Sequence, residues 1–323
     1  MVILIVLFLF IAVFAAVSLY IYRVAFYSPP QKRPCLDDPM NGEQYEPVMD
    51  DIRRSGHIME RYPCEDVWIT SFDGCRLHGR YYHMNDGAPL KIVFHGYRSC
   101  AFRDCSGAHL LSRKLGFNLL AVDQRAHGQS EGKTISFGIR EHQDCAAWAY
   151  FAKDRFGSNT PIILSGLSMG AATILMALGL DLPSNVACVL ADSPYSAPSA
   201  IIEKVCTDLR YPVLLCRPFI HLSALLYGGF ILNACTAKDA VKCAKVPILL
   251  IHGEDDRLVP CAMSHEIANL AASPVTVKTF PHAGHGLSYL TDPFGYERTI
   301  YDFLSSVPQI KDHLPKSFFD GEK

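Results

Sequence analysis

The chain has 323 residues, half of them hydrophobic, and its 30 Lys and Arg against 32 Asp and Glu leave a formal net charge of -2. That balance, with no basic run longer than a dipeptide, argues against nucleic-acid binding. No C-x-x-C pair, H-E-x-x-H motif or dense His/Cys cluster occurs, so neither a metal nor another cofactor is expected.

From Val2 to Tyr22 no residue is charged. As a helix this run extends about 30 Å, the thickness of a bilayer's hydrocarbon core. A cleaved secretory signal normally has a shorter apolar segment preceded by positive charge, so residues 1–22 are read as a retained single-pass membrane anchor. Arg23, Lys32 and Arg33 follow the run and favour a cytoplasmic position for what comes next. Twelve scattered cysteines, among them Cys145 and Cys188 in expected buried elements, suit the same reducing compartment. Residues 23–66, rich in Pro, Asp and Glu, read as a juxtamembrane linker with one short helix near 48–61.

The remainder, 67–323, is long enough for one large domain. It opens on a hairpin, 67–70 and 76–83, turned at Asp73-Gly74. Strands are expected at 90–95, 119–123, 161–165, 187–190, 246–251 and 275–280, alternating with helices near 107–115, 139–156 and 171–180. Such alternation predicts an α/β fold with a mostly parallel sheet and helices on both faces. Residues 194–235 interrupt it with a strand-free, apolar stretch, read as a helical cap over the active site, some of its apolar residues packing in the core and the rest lining a substrate pocket.

The strongest chemical signal is Gly166-Leu167-Ser168-Met169-Gly170 between a strand and a helix. This is the setting of a nucleophile elbow, in which the turn exposes the serine hydroxyl and side chains on the glycines would strike neighbouring elements. A serine needs a base, and the base needs a carboxylate to orient it. Downstream strands run into His252-Gly253-Glu254-Asp255-Asp256-Arg257-Leu258-Val259-Pro260 and into Pro281-His282-Ala283-Gly284-His285-Gly286. The candidate acids are Asp256, its neighbours Asp255 and Glu254, and Asp192 after the 187–190 strand. The candidate bases are His285, flanked by glycines on both sides, and His282.

On these motifs the chain resembles the α/β-hydrolase family, in its esterase, lipase and serine-aminopeptidase-like branch, over roughly 67–307. The resemblance implies Asp256 as the acid, from the H-G-x-x-D-x-x-V-P pattern, and His285 as the base. It also implies an oxyanion hole from the backbone N–H groups of Tyr97, after Phe94-His95-Gly96, and of Met169. The family's D-x-R-x-H-G-x-S-x-G run is present from Asp123 to Gly132, with Ala126 replacing a glycine; His95, Asp123, Arg125 and His127 are expected to be structural. Arg98 is expected to be a surface arginine or, less simply, a contact for a substrate carboxylate.

The function this implies is a serine hydrolase that cleaves carboxylic esters, among them lipid esters or thioesters, through an acyl-enzyme on Ser168. A peptidase, aminopeptidase or acyltransferase would use the same three side chains, and a non-catalytic membrane-bound binding protein is the remaining class. The expected partners are a small-molecule or lipid ester substrate and the membrane itself.

Overall fold

The computed structural model describes residues 1–33, 35–40 and 42–319. Eight strands form one sheet: β1 Glu65–Thr70, β2 Arg76–Tyr82, β3 Leu90–Phe94, β4 Asn118–Val122, β5 Ile162–Leu167, β6 Val186–Asp192, β7 Ile248–Gly253 and β8 Val275–Phe280, in the order β1-β2-β4-β3-β5-β6-β7-β8. The β1–β2 and β2–β4 pairs are antiparallel and all the others parallel. Central strands β3 and β4 are buried at every residue, which is why they read as continuous apolar runs.

Alternate residues of a strand point to opposite faces. Thus Leu164, Val189 and Leu250 join the larger core, beneath the helices Glu141–Phe156 and Met169–Ala177. Ile163, Leu190 and Ile251 join the smaller one, with the helices Ser106–Leu115 and Pro293–Ser305. All the parallel strands therefore end on one edge of the sheet, and the loops leaving β3, β5, β7 and β8 meet there.

At the N-terminus an α-helix runs over Val2–Ile21 and widens into a π-helical turn at Tyr22–Phe26. The whole stretch Val2–Phe26, with a mean hydropathy of 3.2 in its most apolar window, is long and apolar enough to cross a membrane. Its first turns are bare, whereas Ser18 and Phe26 are fully buried.

The segment that composition marks as a juxtamembrane linker packs against the domain at several points. Tyr27 makes an antiparallel bridge to Thr134. The Arg33 guanidinium donates to the carbonyls of Gly128 and Gly132, each at 2.8 Å, and that of Arg103 donates to Asp38 O at 2.8 Å. The helix Met49–Arg61 packs on Ser106–Leu115. Part of the segment's polar content holds it to the domain, as with Arg33, and composition alone does not separate that from solvation.

Between β6 and β7 the insertion forms two helices, Pro198–Asp208 and Val213–Ser223, the second continuing through a π-helical turn at Ala224–Gly228.

Candidate active site

Ser168 sits between β5 and the helix Met169–Ala177 at φ 54°, ψ -114°, a region that side chains rarely adopt and that costs of order 1–3 kcal/mol. The turn is locked by Ser168 N–H donating to Asp192 O at 2.8 Å and Ala172 N–H donating to Ser168 O at 2.9 Å. It is also locked sterically: a Cβ on Gly166 would strike the backbone of Gly170, and one on Gly170 the backbone of Phe94 and His95.

The loops after β7 and β8 bring the other two side chains in. His285 Nε2 lies 2.9 Å from Ser168 Oγ, and His285 Nδ1 lies 2.7 Å from Asp256 Oδ2. A carboxylate only accepts, so Nδ1 carries the proton and Nε2 presents its lone pair to the serine hydroxyl. Asp256 Oδ1 accepts from the backbone N–H groups of Leu258 and Val259 at 2.9 and 2.8 Å. His252 Nε2 lies 3.2 Å from Asp256 Oδ2 and 2.8 Å from Val259 O, while its Nδ1 meets Ser264 Oγ at 2.7 Å. The carbonyl accepts from Nε2–H, so Nδ1 accepts from the Ser264 hydroxyl. Burial alone would raise the Asp256 pKa; hydrogen bonds from His252 and His285, the electrostatic attraction of the His285 ring and the Val259 N–H outweigh it and hold the carboxyl far below the usual range.

The other candidates stand apart from this contact. Asp192 accepts from the Tyr296 hydroxyl at 3.0 Å and the Ser193 hydroxyl at 2.9 Å, and burial raises its pKa. Glu254 pairs with the Thr279 hydroxyl. Asp255 and His282 face each other at 3.7 Å on the surface, the His282 side chain 90 % exposed.

The backbone N–H groups of Tyr97 and Met169 have no hydrogen-bond partner among the described residues, and Met169 opens a helix whose dipole favours negative charge. The Tyr97 loop is drawn tight against the serine. Asp104 Oδ2 accepts from Gly96 N–H at 2.7 Å and Oδ1 from the Ser99 hydroxyl at 2.6 Å, and a Cβ on Gly96 would reach 3.5 Å from Ser168 Cβ. Arg98 N–H donates to His127 Nε2 at 3.0 Å, while His127 Nδ1 donates to Arg125 O at 2.9 Å. Burial pushes the His127 pKa well down, which suits this neutral ring. Arg98 is an exposed surface arginine, and its guanidinium donates to Val24 O at 2.7 Å and Tyr27 O at 3.1 Å. The Tyr97 hydroxyl donates to Ala25 O at 2.8 Å, so the loop beside the serine is bonded to the end of the N-terminal apolar helix.

A cleft of about 1470 Å³ opens over Ser168 and His285. One wall is formed by Met40, Gln44, Tyr45 and Ile52, and from the 194–235 insertion only Asp208 reaches it. The expectation that the apolar residues of the insertion line the pocket is therefore corrected. Ile201 and Ile202 are spent in the core, and Phe219 stacks on Phe14 of the N-terminal helix at 4.1 Å. Gln44, Tyr45 and Asp104 were missed from the sequence because none belongs to a motif; they act through backbone groups of other loops. Among the described residues no group of three His, Cys, Asp or Glu side chains could hold a metal.

Comparison with known proteins agrees with the fold. The family model described as "Alpha/beta hydrolase family" matches residues 92–298. The Bacillus subtilis protein YqkD is 25% identical over 240 residues, 74% of this chain and 78% of its own. The zebrafish (Danio rerio) lysophosphatidylserine lipase ABHD12 is 26% identical over 211 residues, 62% of this chain and 50% of its own, so the match spans about half of that lipase. The Pyrococcus furiosus esterase Pf2001 superposes with a TM-score of 0.63 at 24% identity, covering 88% of this chain and 98% of its own. The family match takes in more than half of the sequence, and with it the chain belongs to the alpha/beta hydrolase family.

Proposed function

We propose that the protein is a membrane-anchored serine esterase acting on carboxylic esters of lipid character. The observation that carries this reading is the contact of His285 Nε2 with Ser168 Oγ at 2.9 Å while Nδ1 is held by Asp256 at 2.7 Å. In this mechanism Nε2 takes the hydroxyl proton as Oγ bonds to the ester carbonyl carbon. The oxygen that becomes negative is met by the N–H groups of Tyr97 and Met169. When the carbon–oxygen bond to the alcohol breaks, the imidazolium returns the proton to the leaving oxygen, and an acyl group remains on Ser168. Water then attacks that acyl carbon, its proton passing to Nε2, and the acid leaves with the serine restored. Asp256 keeps the ring in the working tautomer and stabilises its charged form.

Two further observations support the lipid side of the reading. The loop of Tyr97 and Arg98 is bonded to residues 24–27 at the end of the apolar helix, which sets the cleft beside the anchor. The similarity to a lysophosphatidylserine lipase points to the same substrate class. We place the anchor in the helix Val2–Phe26 and the domain on the cytoplasmic side, since Arg23 lies in the last turn of that helix and Lys32 and Arg33 follow it, and the buried thiols of Cys105, Cys145 and Cys188 suit a reducing solvent.

A fluorophosphonate probe tests the chemistry: the full chain in detergent labels and Ser168→Ala does not. A folded wild-type chain that stays unlabelled overturns the reading. Esters, thioesters and aminoacyl amides assayed in parallel then separate esterase from peptidase chemistry.

A further inference from the structure

Resting on the reading of Val2–Phe26 as a membrane span, we propose that the 194–235 insertion is a membrane foot: the face carrying Leu214, Leu215, Leu225, Leu226 and Ile231 is embedded in the acyl region of the leaflet nearer the domain. The insertion would thus hold the domain against the lipid surface instead of closing over the cleft.

The argument begins from where the insertion sits. Its second helix and following turn, Val213–Gly228, lie along the N-terminal helix. Phe219 stacks on Phe14 with ring centroids 4.1 Å apart, the Tyr227 hydroxyl donates to Ala15 O at 3.0 Å, and the Tyr227 ring lies 6.0 Å from that of Tyr22. Arg23, the first charge after the apolar run, marks the level of the headgroups. At 1.5 Å per residue Phe14 lies about 13 Å on the bilayer side of Arg23, inside the nearer half of a core about 30 Å thick. Whatever touches Phe14 must enter that half.

The side chains the insertion presents there fit the depth. Leu214 is 78 % exposed, Leu215 68 %, Ile231 65 % and Leu226 58 %, and in water so many neighbouring large apolar groups would be unusual for a monomer. Polar groups gather toward the rim. Arg217 is tied to Glu203 by contacts of 2.8 and 3.0 Å, and Lys204 pairs with Asp208; the long stem of Arg217 can lie against acyl chains while its head stays at the surface. His221 is exposed beside it. Tyr211, 57 % exposed, has the amphipathic ring that favours the headgroup level.

The test uses the full chain in phosphatidylcholine and phosphatidylglycerol vesicles that contain lipids brominated on the acyl chain, which quench tryptophan only by contact. Trp68→Phe removes the exposed tryptophan, and Trp148, 1 % exposed, remains as a constant background. Reporters are placed singly as Leu214→Trp, Leu226→Trp and, in the span, Leu9→Trp. The expected result is a loss of emission at Leu214→Trp and Leu226→Trp as large as that at Leu9→Trp. Loss at Leu9→Trp without loss at both insertion positions overturns the foot and leaves the anchor standing, and it is also what a second copy of the chain covering this face would give. No loss at any of the three overturns the anchor, and the foot with it, while fluorophosphonate labelling of Ser168 is untouched by either outcome.

Discussion

The hydroxyl of Tyr45 donates to the backbone carbonyl of His285 at 3.1 Å, and the neighbouring Gln44 accepts from the His285 N–H at 3.2 Å. Both backbone groups of the candidate base are thus held by a stretch that precedes the first strand. Burial, with the charges of Asp104 and Asp256, raises the Tyr45 pKa, so the phenol stays protonated and remains a donor.

Tyr45→Phe deletes one neutral hydrogen bond and nothing else. The expected result is a fall in kcat of about fivefold, the equivalent of about 1 kcal/mol, with KM nearly unchanged, because the ring of His285 is less well aimed and the cleft keeps its shape. Steady-state kinetics on a soluble short-chain ester, with fluorophosphonate labelling rates alongside, check this. A fall confined to KM would place Tyr45 in substrate binding instead.

Asp256→Asn keeps the side chain's shape but replaces an acceptor-only group by one that can donate, so the ring is free to adopt the tautomer with its proton on Nε2. That tautomer cannot accept from Ser168. The expected loss in kcat is about 10⁴-fold, against a circular-dichroism spectrum that does not change. Asp192→Asn, whose carboxylate is capped by Tyr296 and Ser193, is expected to leave a fully active fraction of whatever protein folds.

The same carboxylate has a signature in stability. Its folded-state pKa lies far below the ordinary value, whereas in the unfolded chain it titrates near about 3.9. The stabilisation it supplies is therefore complete above that unfolded value and is lost progressively as pH falls below it, where the unfolded state takes up a proton that the folded state refuses. Denaturant melts of wild type and Asp256→Asn from neutral to acid pH check the sign: the wild type's advantage shrinks below about pH 4, and an advantage that grows there contradicts the linkage.

Much of this architecture is legible in the residues. The buried strands β3 to β7 announce themselves as apolar runs, since both of their faces are covered, and the Asp73-Gly74 turn fixes the hairpin of β1 and β2, with Gly74 at φ 85°. Ser168, Asp256 and His285 can be picked out because each closes a strand with a glycine-bearing turn. What is not legible is interaction with backbone. Gln44 and Tyr45 hold an N–H and a carbonyl 241 and 240 residues away in sequence, and Arg33 holds carbonyls of the 128–132 loop, yet any polar stretch has the composition to do so. The insertion was misplaced for a related reason: the apolar character of Phe219 and Tyr227 records that they are covered, but not whether by a substrate cleft or by the N-terminal helix.

Gly170 offers the sharpest test of the elbow's steric logic. It lies in the first turn of a helix, where alanine has the higher propensity by about 1 kcal/mol, so helix preference alone predicts that Gly170→Ala stabilises. The Cβ, however, would drive into the carbonyl groups of Phe94 and His95, which are main-chain atoms of a central strand and of the loop that leaves it and have nowhere to retreat. The steric term is expected to win by about 3 kcal/mol, lowering the Tm by about 6 to 12 °C and removing fluorophosphonate labelling even in the fraction that stays folded, since the Tyr97 loop is pushed from Ser168. Gly87→Ala is the matched control: at φ 70° with no heavy atom within 4 Å of the added carbon, it carries only the backbone strain of the left-handed region, about 1 kcal/mol. Differential scanning fluorimetry on the two variants separates the terms, and a Gly170→Ala Tm equal to or above that of Gly87→Ala would show that the strand and the helix behind Ser168 are not packed as closely as this arrangement requires.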